Sequence, residues 1–492
     1  MKILPLLPLV GLLAACTVGP DYAGPPATAS DAAARGRFVR ASDPAFTSTP
    51  GLARWWETLN DPTLNALVDD ALAHNPSIDQ AQARIREAMA RITQQRSGQL
   101  PGVSANGTYI HAEVPGIDLG GSGNSSGGSQ GQGDGGGSTS LQFYNLGLNV
   151  GWEADIFGGG RRGIEQTRRT AEARFADLAD AQVSLSAQVA QAYVSLRDVQ
   201  QRIRLNQQST ALQQRQLALT RQRFDAGTAS TLDVERLQTA LETSEAQAVP
   251  LGAQRDEYLG QIAILTGRTP GALDATLSTV MPVPLPPAQV PVGDPALLIA
   301  SRPDIRSAER QLAAATAGIG VSKARELPAV RFLGLLGLGG TSPGDIFDLG
   351  KLTALGAPTL SWSFLDFGKA RAATRVSEAQ RDQAEAGYRQ TVLQALQEAE
   401  TSLSRFGNLR AQLGNLARAE ASAARAATLN DQRVRAGTSA TIDQLDIERQ
   451  RLSAAIAVAQ AKAQLTNSYI AVQKSLGLGW TPPRPEGDGA AR

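Results

Sequence analysis

The sequence of 492 residues predicts a mainly α-helical chain with a smaller membrane β part, built from a duplicated unit of two strands, a long helix and a return helix. Two long stretches free of internal proline, a repeat of their flanking motifs, and short runs of alternating apolar and polar residues predict this fold class. The first stretch, 161–225, is rich in Ala, Gln, Leu and Arg, and predicts one helix about 98 Å long. The second, 369–435, has a similar length and composition.

Apolar residues recur at heptad spacing on two tracks of each long stretch. In the first stretch these residues are Leu178, Leu185, Ala192 and Val199 on one track and Val189, Leu196 and Ile203 on the other. In the second stretch they are Leu396 and Leu403 on one track and Ala399, Phe406 and Leu413 on the other. Two seams on one helix predict that it contacts two neighbours, as in a closed cylinder of helices.

The flanking motifs indicate an internal duplication. Trp152 and Phe157-Gly158 recur 210 positions later as Trp362 and Phe367-Gly368. The upstream motifs around Pro76 and Pro303 are 227 positions apart. The first copy therefore carries 17 extra residues. Because the Gly/Ser-rich run within 120–140 lies in the same interval, we predict that the extra residues form a loop.

Composition excludes several classes of protein. The net charge is +1, from 47 basic and 46 acidic residues, so nothing indicates a nucleic-acid partner. A single cysteine, Cys16, excludes an intramolecular disulfide. Two histidines, His74 and His111, leave almost no material for a metal site or a catalytic triad. We therefore expect no catalytic residues, no cofactor and no metal.

The amino terminus predicts a signal peptide over residues 1–15. Its apolar run ends in Leu-Ala-Ala-Cys16, which resembles a bacterial lipobox, in which the cysteine is acylated and becomes the new amino terminus. The alternative is an ordinary signal peptide with a chance cysteine. After Cys16, residues 16–60 predict a lipidated extended segment, since they are rich in Pro, Ala, Ser and Thr without a sustained period.

The first copy is predicted over 61–270. Asp61-Pro62 and Asn75-Pro76 predict the starts of two short helices, because proline is favoured at the first helical position. Strands follow at about 103–112 and 142–153, then the long helix 161–225 and a return helix 231–266 capped by Thr231 and kinked at Pro250.

The second copy is predicted over 301–476, after a Pro-rich linker at 271–300. Its elements are a helix, strands at about 329–339 and 352–364, the long helix 369–435 and a return helix 441–473 capped by Thr441. Residues 477–492 predict a flexible tail.

The second strand of each copy, at 142–153 and 352–364, alternates apolar with polar or small residues, which is typical of transmembrane β-strands. A soluble sandwich is the alternative for the strand pattern alone. Four strands cannot close a barrel, since about eight is the smallest number that does. If these strands cross a membrane, the open edges require the protein to oligomerise.

The ordered motifs together resemble the TolC family of outer-membrane factors, and more closely its NodT-type lipoprotein branch. The motifs are the lipobox, Thr17-Val-Gly-Pro-Asp-Tyr22, Ser301-Arg-Pro-Asp304, Phe367-Gly368 and the two Ala-Gly-Thr turns. The resemblance implies a homotrimer in the outer membrane, lipid-anchored and membrane-spanning, whose twelve strands form one β-barrel continued by a twelve-helix α-barrel in the periplasm.

The implied function is the passive exit duct of a tripartite efflux pump. Its partners would be a periplasmic adaptor protein, an inner-membrane transporter of the RND type, and outer-membrane lipid. The exit duct of a type I protein secretion system, a non-conducting trimeric stalk and an enzyme are the alternatives.

The resemblance also implies candidate sites at the two helical hairpins. The turns, Ala226, Gly227 and Thr228 in the first copy and Ala436, Gly437 and Thr438 in the second, would contact the adaptor. Asp443 and Asp446 would form the periplasmic gate, with Asp233 as a candidate in the first hairpin. Aspartates that merely complement a helix dipole are the alternative.

Overall fold

The computed structural model describes residues 17–115 and 138–480, which divide into two compact units. The first unit comprises the amino-terminal residues up to Gly24, Ala88–Thr170 and Ala313–Gln383. The second comprises Pro25–Glu87, Ala171–Leu312 and the chain from Ala384 onward. The predicted signal peptide, Cys16, most of the Gly/Ser-rich loop and most of the tail lie outside the described residues.

Long helices dominate the described chain. The helices are α1 (Ser30–Ala34), α2 (Pro62–His74), α3 (Pro76–Ser97), α4 (Gly159–Asp225), α5 (Thr231–Leu265), α6 (Asp274–Leu277), α7 (Pro295–Ser301), α8 (Pro303–Ala324), α9 (Lys369–Arg435) and α10 (Thr441–Ser475). The helix α5 is continuous from Thr231 to Leu265 and includes Pro250. Within residues 17–115 and 138–480, no helix combines the length and apolar character needed to cross a membrane.

Four of the strands form one antiparallel sheet in the first unit, in the order β2-β3-β5-β6. The described strands are β1 (Phe46–Thr47), β2 (Gly102–Pro115), β3 (Ser138–Ala154), β4 (Val290–Pro291), β5 (Ala329–Gly340) and β6 (Leu352–Ser361). Trp152 pairs with Phe332 across β3 and β5, and their rings stack at 5.4 Å. Because β2 and β6 each pair on one side only, both edges of the sheet are open.

A tryptophan closes each strand-to-helix junction. The Trp152 Nε1–H donates to the Gln99 carbonyl at 2.9 Å, and the Trp362 Nε1–H donates to the Glu326 carbonyl at 3.1 Å. Trp362 lies beyond the end of β6 at Ser361, whereas the sequence placed it inside a strand over 352–364.

Small residues lie where the helices α3, α4, α8 and α9 of the first unit contact one another. A Cβ on Gly163 of α4 would lie 2.5 Å from the Gln95 side chain of α3, and one on Gly159 would lie 2.7 Å from Ala324 of α8. The helices α8 and α9 meet through the hydroxyls of Ser322 and Ser377, 2.7 Å apart. The helices are therefore neighbours in the order α3-α4-α8-α9, which matches the order β2-β3-β5-β6 of the strands joined to them.

The second unit has a core of aromatic residues, and two of them, Trp55 and Trp56, come from the amino-terminal segment. Trp55, Trp56 and Tyr469 are almost fully buried, and Trp55 meets Tyr469 edge to face at 6.1 Å. Burial raises the pKa of the Tyr469 hydroxyl, and a hydrogen bond with the Thr58 hydroxyl opposes this shift. The predicted extended segment over 16–60 is therefore partly structured: α1, β1 and a 3-10 helix at Trp55–Leu59 lie within it.

The linker predicted over 271–300 is also structured, since it contains α6, β4 and all of α7 except its last residue, Ser301. Its strand β4 pairs in parallel with β1 of the amino-terminal segment. The backbone N–H of Val290 donates to the Ala45 carbonyl at 2.7 Å. Neither strand alternates strongly enough to be recognised alone, because each is two residues long and is stabilised by the other.

The two return helices end against the helices that precede the sheet. The Asn75 side-chain amide donates to the Leu265 carbonyl at the end of α5, at 2.7 Å. At the equivalent place in the second copy, the Arg302 guanidinium donates to the Ser475 carbonyl at the end of α10, at 2.6 Å. These contacts place α5 end to end with α3 and α10 end to end with α8.

Candidate functional site

The two helical hairpins share one turn geometry. Gly227 and Gly437 adopt φ of 74° and 71°, the left-handed conformation that glycine tolerates without strain. The backbone N–H of Thr228 donates to the Arg223 carbonyl at 2.8 Å, and that of Thr438 donates to the Arg433 carbonyl at the same distance. Both long helices therefore end in the Schellman turn that the Ala-Gly-Thr motif predicts.

The first hairpin has a complete capping box, formed by Ser230 and Asp233. The Asp233 N–H donates to the Ser230 hydroxyl oxygen at 3.2 Å, while the Ser230 hydroxyl and N–H donate to the Asp233 carboxylate at 2.7 and 3.1 Å. These bonds, from the hydroxyl first and the N–H second, lower the pKa of the Asp233 carboxyl. The predicted cap at Thr231 is wrong, because Thr231 is already the first helical residue.

The second hairpin lacks this box, because Ala440 occupies the N-cap position and offers no side-chain acceptor. The predicted cap at Thr441 is wrong as well, since the helix begins at that residue. The neighbouring hydroxyl, that of Ser439, donates to the Asn430 side chain at 2.9 Å. The carboxylate of Asp443 is exposed and has no ion-pair or hydrogen-bond partner among the described side chains.

The second predicted gate residue, Asp446, lies one turn further along α10 and has partners on its own helix. Arg449 donates to its carboxylate at 2.7 Å, and the Gln450 side chain donates to it at 3.1 Å. At the equivalent position of the first hairpin stands Arg236. The two copies therefore carry opposite charges at this place and are not interchangeable.

A cleft of about 370 Å³ lies between the end of α4 and the start of α10. Ala226 and Thr228 of the first turn line one side, and Ala440 and Ile442 line the other. The side chain of Thr220 is 1% exposed at this cleft, and its hydroxyl has no hydrogen-bond partner within the described part of the chain. The cleft thus brings the first turn and the uncapped helix start of the second hairpin together.

Sequence reasoning missed two features of the hairpins: the capping box of the first hairpin and the cleft between the two. The pair Ser230 and Asp233 fits the capping-box pattern of a short polar residue followed three positions later by an acid, so this signal was present in the sequence. The cleft gives no such signal, because residues more than 200 positions apart in the chain form it. Among residues 17–115 and 138–480, no group of three or more His, Cys, Asp or Glu side chains is arranged to hold a metal ion.

Known proteins resemble this chain over nearly its whole length. The family model described as outer membrane efflux protein matches residues 67–268 and 295–478. Nodulation protein T of Rhizobium leguminosarum bv. viciae is 28% identical, over 97% of this chain and 93% of that protein. The outer membrane protein OprJ of Pseudomonas aeruginosa is 28% identical, over 96% of this chain and 95% of that protein.

Solved structures extend the likeness to the fold. The structure of the outer-membrane channel OprN superposes with a TM-score of 0.83 at 34% sequence identity, and the match covers 95% of this chain and all of the OprN chain.

Proposed function

Because this chain belongs to the outer membrane efflux protein family, we propose that it is the outer-membrane exit duct of a tripartite efflux pump. Three copies would form one twelve-stranded β-barrel, continued by twelve helices in the periplasm. A periplasmic adaptor and an inner-membrane transporter of the RND type would deliver substrates, which the duct would conduct passively. The family that matches is one of efflux proteins and not of enzymes, which agrees with a sequence in which no catalytic motif is recognised.

The open four-stranded sheet is the observation that carries this proposal. Its edge strands β2 and β6 leave unpaired backbone N–H and C=O groups, each of which costs several kcal/mol in lipid. Pairing β6 of one copy with β2 of the next satisfies these groups, and three copies close a ring of twelve strands. The diameter of a barrel grows with its number of strands, and side chains fill the interior of a barrel of about eight strands. A ring of twelve strands is wider and therefore encloses a passage.

We assign the periplasmic gate to the second hairpin, first through Asp443 and then through Asp446. The free carboxylate of Asp443 supports this order, because the carboxylate of Asp446 already binds Arg449 at 2.7 Å. In Asp233, the candidate in the first hairpin, the Oδ2 atom is occupied by the Ser230 hydroxyl and N–H, so this carboxylate has fewer free oxygen lone pairs for an ion in the duct. Three copies of Asp443 around one axis would favour cations and bind divalent cations.

The adaptor would bind at the two turns, 226–228 and 436–438. The cleft between α4 and α10 supports this assignment, because it is open, about 370 Å³ in volume, and lined by both apolar and polar residues of the first turn. Small residues in both turns leave the helix ends accessible to a partner's side chains.

At the amino terminus, we propose that residues 1–15 are removed as a signal peptide and that Cys16 is acylated. Thr17 and Val18, the next residues, contact the strand-to-helix turn at Phe157 and Gly158, which supports an anchor at that level of the duct. Labelling with a radioactive fatty acid tests this assignment, since a Cys16→Ser variant should carry no label. An unlabelled wild-type protein would contradict it.

Conductance across a planar bilayer tests the duct and its gate together. The purified trimer should conduct cations in preference to anions, and divalent cations added on the periplasmic side should block it. Asp443→Asn should relieve most of the block, whereas Asp233→Asn, the matched change in the first hairpin, should leave it unchanged. Trimers that insert without conducting would support a structural stalk, and equal block in both variants would remove Asp443 from the gate.

A further inference from the structure

Basic residues are concentrated where the sheet of the first unit meets its helices. The helix ends and turns over 88–101, 154–170, 313–328 and 362–383 contain twelve Lys or Arg against six Asp or Glu. This net charge of +6 contrasts with +1 for all 492 residues, so the remainder of the chain is acidic. We call these four ranges the basic belt.

Half of the positive charges in the basic belt have no partner. Six side chains are exposed and form no ion pair or hydrogen bond within the described residues: Arg96, Arg168, Arg325, Lys369, Arg371 and Arg375. Other members are paired, as Arg161 is with Asp155 at 3.4 Å and Lys323 with Glu378 at 4.0 Å. The excess charge is therefore not neutralised by carboxylates of the same chain.

The helix dipoles do not favour this placement. Acidic residues are preferred near helix amino termini, yet α4 and α9 have none in their first turns. In α9, Lys369 and Arg371 occupy that turn instead. The carboxylates of Asp155 and Asp366, which accept backbone N–H bonds at these helix starts, supply one negative charge against two basic side chains at each.

Exposed apolar residues lie directly before the basic residues of α9. Phe364 and Phe367 are 75% and 96% exposed. The equivalent turn of the first copy is covered, because the Val18 N–H donates to the Phe157 carbonyl at 3.1 Å and Thr17 contacts Gly158. Apolar side chains followed by basic ones are typical of a segment at the membrane boundary, where aliphatic and aromatic groups enter lipid and cationic groups contact head groups.

We propose that the basic belt binds the head groups of anionic phospholipids in the periplasmic leaflet of the outer membrane. The inference rests on the proposed membrane position of the sheet, since the belt follows the ends of its strands. The same region of a second copy carries the same net charge of +6, so pairing belt with belt leaves the positive charge in excess. The phosphate of a lipid head group supplies the missing negative charge at the height where the apolar residues end.

Fluorescence quenching by brominated lipids tests this proposal on the full-length protein in vesicles. Trp152 and Trp362 lie at the belt, whereas the other three tryptophans, Trp55, Trp56 and Trp480, lie in the second unit and contribute a constant background. Brominated phosphatidylglycerol should associate at least about tenfold more strongly than brominated phosphatidylcholine, and the preference should fall as salt is raised.

The critical variant replaces Arg168, Arg371 and Arg375 by Gln. It should reduce the preference for phosphatidylglycerol to within about twofold, while the matching Lys variant retains it. A control variant that replaces the exposed residues Arg84, Arg86 and Arg215 of the second unit by Gln removes the same charge and should behave as wild type. If the Gln variant fails to insert, the Lys variant and the salt dependence of the wild type decide the question.

Three outcomes would overturn the proposal: no lipid preference in the wild type, equal loss in the belt and control variants, or an unchanged preference with an altered ratio of anion to cation permeability. The last outcome would place the belt inside the duct. Because conductance is measured independently, a conducting trimer without lipid preference would refute only the belt, whereas a protein that never conducts would refute the duct.

Discussion

The two copies of the repeat place the same backbone at the same positions but use different side chains there. Both long helices end in a glycine at φ near 70°, and both return helices end against a side chain that precedes a proline. The first copy uses uncharged side chains at these places: Asn75 at the helix junction and Ser230 at the cap. The second copy uses a buried guanidinium, Arg302, at the junction and no side-chain cap at all.

This comparison separates the features that both copies share from the one feature, the side-chain cap, that only the first copy has. The glycine turn and the helix junction recur because a continuous wall of helices needs both. The cap is dispensable, since the backbone of the second hairpin is the same without it. Loss of the cap leaves Asp443 free, whereas its counterpart Asp233 is bound.

The largest expected effect distinguishes the two helix junctions. Arg302→Ala should lower the free energy of unfolding by about 2–3 kcal/mol, because it removes a charged donor to the Ser475 carbonyl and the cation paired with the partly exposed carboxylates of Asp304 and Glu398. Asn75→Ala, the matched change, should cost about 1 kcal/mol, since it removes one neutral bond to Leu265. Denaturant titration of the two variants in detergent measures the difference. Equal losses would mean that the charged junction adds nothing.

The turns should respond alike in the two copies. Gly227→Ala and Gly437→Ala each place a Cβ on a left-handed residue, which costs about 1–2 kcal/mol, and in both cases no neighbouring atom lies within 4 Å of the added carbon. The thermal unfolding midpoint of each variant should fall by the same amount. Unequal shifts would show that one turn is strained by contacts that the other lacks.

Exchange of the caps sharpens the comparison further. Ser230→Ala should lower stability by about 1 kcal/mol, and Ala440→Ser should raise it by somewhat less, because a serine there can form a capping box with Asp443. The same Ala440→Ser change should weaken block of the channel by divalent cations, since the new box binds the carboxylate. Amide hydrogen exchange in the first turn of α10 measures the stability gain, and conductance measures the block. A stabilised hairpin with unchanged block would separate Asp443 from the gate.

The smallest expected effect is an acid dependence confined to the first hairpin. The pKa of Asp233 is lowered in the folded protein, so its stabilisation is present above the unfolded pKa of about 3.9 and is lost as pH falls through the folded value. Asp233→Asn should therefore have a lower unfolding midpoint than wild type at neutral pH. The two midpoints should converge as the medium is acidified below about pH 4. A difference that persists at low pH would assign the effect to packing instead of charge.

Much of the architecture was readable from local pattern. The long helices extend over Gly159–Asp225 and Lys369–Arg435, against predicted ranges of 161–225 and 369–435, because Ala, Leu and Arg favour a helix where no proline interrupts it. The left-handed turns at Gly227 and Gly437 were predicted from one residue type, since a glycine after a long helix has few other roles.

Other features depended on residues distant in sequence, and these were missed or wrong. The amino-terminal segment and the linker were expected to be irregular, yet β1 and β4 pair with each other and complete the second unit. Thr231 and Thr441 were expected to cap the return helices, but each helix begins one residue after its cap position, so the capping residues are Ser230 and Ala440.

The sequence by itself therefore determined the helices, the turns, the duplication and the family resemblance, because each of these follows from local propensity or from a spacing that can be read along one chain. Only the tertiary structure decided the contacts between distant residues: β1 pairs with β4, and the turn at Ala226 lines one cleft with Ala440. The members of each pair are more than 200 positions apart in the chain, and neither carries a local pattern that identifies its partner.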